Sequence, residues 1–267
     1  MKIALIYFSP TGNTKKIAEK IRTTLLELEA DIFEFDITSY QDRKDRIRFS
    51  RFNACFFGFP VHGWRVPKIL REWFKTIKGS GLKCSTFITY GGINPGIVHY
   101  DIQQILNRQE FHLFSTAEFL GRHTFNLAGW EVAVNRPNTS DFHVAEQYTR
   151  LTYRKFHSKN SALDPFSKPH ISNKKLKKIE NRPRKFVPPP KINKEICKQC
   201  GVCNEKCPNA AIDLQTQSIN QSDCIRCLRC VKYCPEDAVT LPDLSHIFKN
   251  LKKIENISTK AKSKYFI

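Results

Sequence analysis

The sequence predicts an α/β chain, a doubly wound parallel sheet followed by a small α+β module, and three observations carry that prediction. Apolar strand-like runs alternate with helix-period segments from residue 1 to about residue 157. The first run ends in a hydroxyl-rich loop that feeds directly into a helix. Toward the C-terminal end a cysteine run occurs twice with one spacing.

The first run, Lys2-Ile3-Ala4-Leu5-Ile6-Tyr7-Phe8, is nearly continuous in apolar residues, as a parallel strand buried on both faces reads. It ends in Ser9-Pro10-Thr11-Gly12-Asn13-Thr14. Ile17, Ile21, Thr24, Leu25 and Leu28 then fall at helical spacing. A loop at a helix N-terminus offers unpaired backbone N–H groups and the positive end of the dipole to an anion. Ser9, Thr11, Thr14 and Asn13 add side-chain donors, and Gly12 lets the backbone close in, a set suited to one phosphate monoester. The same residue types also serve as ordinary helix caps, and the loop alone leaves both roles open.

Further strands are expected at 31–37, 54–59, 85–90 and near 113–119, with helices at about 68–78, 100–108 and 141–157. The last carries Phe142, Ala145, Tyr148, Leu151 and Thr152 as its stripe. Strand–helix alternation implies right-handed crossovers and a parallel sheet. In such a sheet, ligands sit beyond the carboxyl ends of the strands where strand order reverses. Three loops fall there: 9–14, 60–64 and 90–96.

The cysteine run is Cys197, Cys200, Cys203, Cys207, answered by Cys224, Cys227, Cys230, Cys234. Each half reads C-x-x-C-x-x-C-x-x-x-C-P, the spacing by which thiolates hold iron–sulfur clusters. In that two-cluster arrangement the fourth cysteine serves the other cluster. Cys197, Cys200, Cys203 and Cys234 are therefore expected on one 4Fe-4S cube, and Cys224, Cys227, Cys230 and Cys207 on the other. Pro208 and Pro235 turn the chain away after each fourth cysteine. Disulfides need an oxidising compartment, and nothing at the N-terminus resembles a signal peptide. Zinc sites need only four ligands and no repeated third cysteine. Cys55 and Cys84 lie in apolar strands and are expected in the core.

The 267 residues suit about two domains, expected at 1–157 and 191–242, with a connector at 158–190 and a tail at 243–267. The net charge of +19 is uneven: residues 150–195 carry fourteen Lys/Arg against three Asp/Glu, whereas 196–241 balance at five each. Such a connector suits an acidic protein, an anionic membrane surface or nucleic acid. It also reads as a solvated connector with no dedicated partner, and the lack of the aromatic interleaving of a base-stacking surface favours that reading over nucleic acid. Ile171 to Glu180 reads equally as flexible linker or docking helix, and Pro188-Pro189-Pro190 as a stiff spacer. No apolar run approaches the ~20 residues of a membrane span, so a cytoplasmic protein is expected.

With these motifs in view, residues 1–155 resemble the flavodoxins, whose loop holds the phosphate of FMN, and 191–242 resemble a bacterial-type two-cluster ferredoxin. Together they are similar to flavodoxin-ferredoxin fusion proteins. The resemblance implies an FMN site at Ser9, Thr11, Gly12, Asn13 and Thr14. It also implies that Pro60, Val61, His62, Gly63 and Trp64, with Tyr90, Gly91 and Gly92, flank the flavin ring. Trp64 is the candidate to stack on or edge the ring, its alternative being to pack against Val66 and the following helix. The segment 121–137, with Trp130, either covers the flavin or docks the second domain.

The expected function is an electron-transfer iron–sulfur flavoprotein relaying electrons between FMN and two 4Fe-4S clusters, with redox proteins as partners. An FMN oxidoreductase fed by its clusters is the alternative, with His62, Arg65 and Arg122 as substrate contacts. A redox sensor binding nucleic acid through the connector is a third reading. No Ser/His/Asp triad or paired carboxylate stands out, so hydrolysis and acyl transfer lack support.

Overall fold

The computed structural model describes residues 1–158, 162–248 and 259–267; parts of the expected connector and tail, 159–161 and 249–258, lie outside them. Chain order runs β1 (Lys2–Tyr7), α1 (Asn13–Glu27), β2 (Asp31–Asp36), β3 (Ala54–Pro60), α2 (Lys68–Phe74), β4 (Lys83–Tyr90), α3 (Val98–Arg108), β5 (His112–Leu120) and α4 (Thr139–His157). Then come α5 (Asn173–Phe186), β6 (Lys191–Ile192), α6 (Val202–Glu205), β7 (Ile212–Asp213), β8 (Ser218–Ile219), α7 (Arg229–Tyr233), β9 (Val239–Thr240), α8 (Ser245–Phe248) and β10 (Lys264–Phe266).

The large sheet has the order β10-β5-β4-β3-β1-β2, with β1 to β5 parallel and β10 antiparallel on the edge. Its two faces bury separate cores. One packs Ile17, Ile21 and Leu25 of α1 and Tyr148 and Phe156 of α4 against Leu5, Phe56 and Phe87. The other packs Leu70 and Phe74 of α2 and Ile102 and Leu106 of α3 against Ile6, Phe57 and Ile88. Cys55 and Cys84 are fully buried cross-strand neighbours.

Lys264–Phe266, within the stretch expected as a tail, returns to this sheet as its sixth strand. Ser263 fixes the return: its hydroxyl accepts from Leu120 N at 3.0 Å and donates to Asp141. The edge of β5 is thereby covered, which removes a row of unpaired backbone groups from solvent.

The cysteine-rich segment pairs β6 with β9 and β7 with β8, both antiparallel. Val239 thereby pairs with Ile192 and Ile212 with Ile219. A third apolar cluster binds the modules together: Ala128, Trp130 and Val132 from the 121–137 segment meet Val187, Leu228, Leu244 and Phe248. Trp130 stacks on Phe248 at 4.9 Å between ring centroids, 9° from parallel. The segment therefore docks the second module, and its start also reaches the site described below. Among the described residues no helix is long and apolar enough to cross a membrane.

Candidate functional site

Strand order reverses at β1 and β3, so the loops after β1, β3 and β4 converge at their carboxyl ends. A cavity of about 1000 Å³ opens there. Its floor is Ser9 to Thr11, Asn13, Thr14, Pro60 to Gly63, Tyr90 and Gly91. The 121–125 stretch, α5 and residues of the cysteine-rich segment wall it in. Gly12, Trp64 and Gly92 are not among its lining residues. Trp64 adopts φ +70 and packs beneath Gly96, with its carbonyl accepting from Ile97 N at 2.9 Å, so it braces the third loop from behind.

The first loop is arranged around its backbone. Gly12 is the N-cap of α1, has φ +95 and supplies no side-chain cap. The Ser9 hydroxyl accepts from Lys15 N at 2.9 Å, the Thr14 hydroxyl pairs with that of Thr89 at 2.7 Å, and the Asn13 amide donates to Arg122 O at 2.7 Å. Asn13 is thus already engaged as a donor and the Thr14 hydroxyl is paired, while Ser9, which accepts, keeps its own proton to donate. Among the described residues, the N–H groups of Thr11, Gly12, Asn13 and Thr14 have no protein acceptor. No acidic residue sits in the first turn of α1, leaving the positive end of its dipole unopposed. Orphaned donors at a cavity floor suit a phosphate monoester, so the loop fits FMN chiefly on its backbone donors, with the Ser9 hydroxyl still free to donate.

The connector is helical where it passes the site. Ser172 caps α5 by accepting from Lys175 N at 3.3 Å. Glu180 then accepts from Arg71 at 2.7 Å and lies over Gly63, while Arg184 donates to Ser222 O at 3.0 Å. The charged connector thus spans both modules as a cavity wall. The sequence left this stretch open between linker and helix; the Ser172 cap was the one local signal for a helix, and the docking face rests on one buried residue, Leu176.

His62 and His123 line the cavity beside each other. Burial, with Arg71 added at His62 and His62 added at His123, lowers both to about 4. Both are therefore neutral hydrogen-bonding groups near pH 7, and His123 accepts from Phe125 N at 3.1 Å. The unfolded chain protonates near the ordinary histidine value of 6.5, so it binds protons that the folded protein does not. This stability contribution is complete above about pH 6.5 and is lost as pH falls toward 4, on the order of a few kcal/mol for the pair. Urea unfolding at pH 7 and at pH 5 should show a larger loss for the native protein than for a His62→Asn, His123→Asn variant; parallel losses would refute it.

The cysteines gather in two sets. Cys207, Cys224, Cys227 and Cys230 line one small, mostly apolar cavity with Ile212, Ile219 and Leu228. Cys203 lies within electrostatic range of Cys234, Cys197 and Cys200. Burial pushes the bare Cys227 thiol up to about 12 and raises Cys203 and Cys230 as well, so a bound metal centre would have to offset that burial for these sulfurs to be thiolates. Among the described residues no three His, Cys, Asp or Glu side chains converge on a single-ion site. Four thiols around one enclosed space fit a cluster by their donor chemistry.

Sequence reasoning missed the residues that join the modules. Arg229 donates to Ser9 O and Pro10 O, each at 2.9 Å, and Lys232 donates to Thr11 O at 2.5 Å. Arg43 donates to Ile37 O, Thr38 O and Ser39 O and reaches Pro208 O across the interface. Asn209, Ile225 and Cys227 line both the large cavity and the cysteine cavity.

No curated protein matches this chain. Among solved structures, a flavodoxin from the domain Archaea aligns at 15% identity and TM-score 0.45, covering 59% of this chain and 100% of that one. A flavodoxin from Streptococcus pneumonia TIGR4 aligns at 13% and 0.42, covering 58% and 99%. The Flv1 flavodiiron core from Synechocystis sp. PCC6803 aligns at 15% and 0.43, covering 58% and 36%. Residues 4–100 match the flavodoxin domain family, and residues 189–235 match the 4Fe-4S dicluster domain family. The chain therefore joins a flavodoxin domain to a 4Fe-4S dicluster domain, the composition of an electron-transfer iron–sulfur flavoprotein.

Proposed function

We propose that the protein relays electrons between FMN in the large cavity and two 4Fe-4S clusters, in the order cavity, Cys207/Cys224/Cys227/Cys230 set, Cys197/Cys200/Cys203/Cys234 set. The observation that carries this reading is the shared wall: Cys227 lines both the large cavity and the cysteine cavity. FMN exchanges two electrons and releases them singly, whereas each cube passes one at a time, so the pairing converts between two-electron and one-electron carriers.

The chain's own residues bind, orient and seal. The N–H groups of Thr11 to Thr14 would hold the phosphate, and Pro60 to Gly63 with Tyr90, Gly91 and His123 would bound the ring. Ile225 and Phe125 supply apolar lining to the cavity, and Ile225 also lines the cysteine cavity. The Cys200 end is exposed, and a redox partner protein would meet the relay there.

Anaerobically prepared protein should hold about one FMN and about eight irons per chain, counting two four-iron cubes. After reduction of the flavin by light, reoxidation by the clusters should proceed at a rate independent of protein concentration. A rate proportional to concentration would place the transfer between chains and sink the in-chain order.

A further inference from the structure

The contacts between α7 and the loop before α1 carry a consequence beyond the relay. We infer that the dicluster domain completes the FMN phosphate site: Arg229 and Lys232 set the peptide planes of the loop so that its free N–H groups face the phosphate. The inference rests on the FMN reading above.

In a trans peptide the C=O and N–H lie antiparallel in one plane. Arg229 holds the carbonyl of Pro10 toward α7, so the N–H of Thr11 in the same plane faces the other way. Lys232 does the same to the carbonyl of Thr11 and hence to the N–H of Gly12. These are two of the donors without a protein acceptor. The third bond, Arg229 to Ser9 O, orients no donor, because the next residue is Pro10, and fixes the start of the loop. Gly12, at φ +95, is the residue freest to let its flanking peptides rotate, so the orientation needs an outside hold.

The hold is built. Arg229 and Lys232 lie 5.0 Å and 5.3 Å from the Tyr233 ring centroid, which restricts both side chains. Lys232 Nζ would lie 3.4 Å from a Cβ placed on Gly12, so its charge sits against the turn itself. Arg229 Nε is buried without a partner, a cost that its two carbonyl bonds offset. Both cations also stand at the positive end of α1, where they add to the field on a dianionic phosphate.

Coupling of this kind is reciprocal. If docking of the dicluster domain tightens FMN phosphate binding, bound phosphate tightens docking by the same factor. FMN retention then depends on an assembled dicluster domain.

Riboflavin, which has the ring and no phosphate, separates the phosphate term from the rest. Flavin dissociation constants would be measured by fluorescence on deflavinated full-length protein with its clusters in place, for FMN and for riboflavin. An Arg229→Gln, Lys232→Gln variant should bind FMN roughly tenfold to hundredfold more weakly, the worth of charge-assisted hydrogen bonds, with riboflavin affinity unchanged. Arg229→Lys should recover part of the loss. Lys232 is exposed, so Lys232→Gln alone leaves the packing intact and should still give a severalfold selective loss. Equal weakening of both ligands, or of neither, overturns the inference. Native protein that binds FMN no better than riboflavin instead overturns the FMN phosphate reading beneath it.

Discussion

Protein carrying Cys207→Ser should retain about four of about eight irons, lost from the Cys224, Cys227 and Cys230 set although Cys207 belongs by sequence to the other run. Serine offers a harder, far less acidic donor in place of the thiolate. The neighbourhood explains the crossing. Cys207 lines the same cavity as those three, and its sulfur accepts from Ala211 N at 3.2 Å, a bond that pins it at the end of α6 facing the opposite run. Cys234→Ser is the mirror experiment, since Cys234 neighbours Cys203. It should cost the other half of the iron. The two variants should then differ in kind. Loss of the set beside the flavin cavity should abolish reoxidation of the reduced flavin by the remaining cluster, whereas Cys234→Ser should preserve it. Iron lost from the Cys197 set in Cys207→Ser, or identical behaviour of the two variants, would refute both the crossed ligation and the order of the relay.

What was legible in the sequence follows from how local each feature is. Buried parallel strands announce themselves by continuous apolar runs, so β1 and β3 were found to within a residue, and the cysteine spacing marked both sets. Helix ends were less so: α2 stops at Phe74 although the periodicity runs on toward 78, because the backbone tightens there to i→i−3 bonds, from Lys75 N to Glu72 O and from Thr76 N to Trp73 O. The role of Trp64 was unreadable, since its place beneath Gly96 depends on a loop thirty residues away. The joining cations Arg43, Arg229 and Lys232 carry no motif. Their partners are backbone carbonyls as far as 221 residues off, which any residue type supplies equally. The return of Lys264–Phe266 to β5 was hidden for the same reason: three residues amid charged chain have no period to read.

Gly63→Ala should lower the thermal midpoint by several degrees, while Gly81→Ala lowers it much less. Both glycines sit in the left-handed region, at φ +57 and +84, where a Cβ costs about 1–2 kcal/mol. They differ in what the Cβ would meet. At Gly81 nothing lies within 4 Å, whereas at Gly63 the backbone Cα of Glu180 stands 2.5 Å away. A backbone atom in a helix cannot swing aside as a side-chain tip can. Either α5 lifts or the 60–64 loop retreats, at roughly 1–3 kcal/mol beyond the strain. Lifting α5 also strains the Arg71–Glu180 pair, which is partly buried and therefore worth more than an exposed one. The difference between the two variants isolates the seating of the connector from glycine's conformational freedom. Trypsin should report it independently, because α5 holds a dense run of lysines and arginines that is protected only while its first turns stay docked through Leu176. Faster cleavage in Gly63→Ala than in Gly81→Ala is the expected result. Equal midpoints and equal cleavage would mean that the connector does not wall the cavity in solution, and the flavin would then lie open on that side.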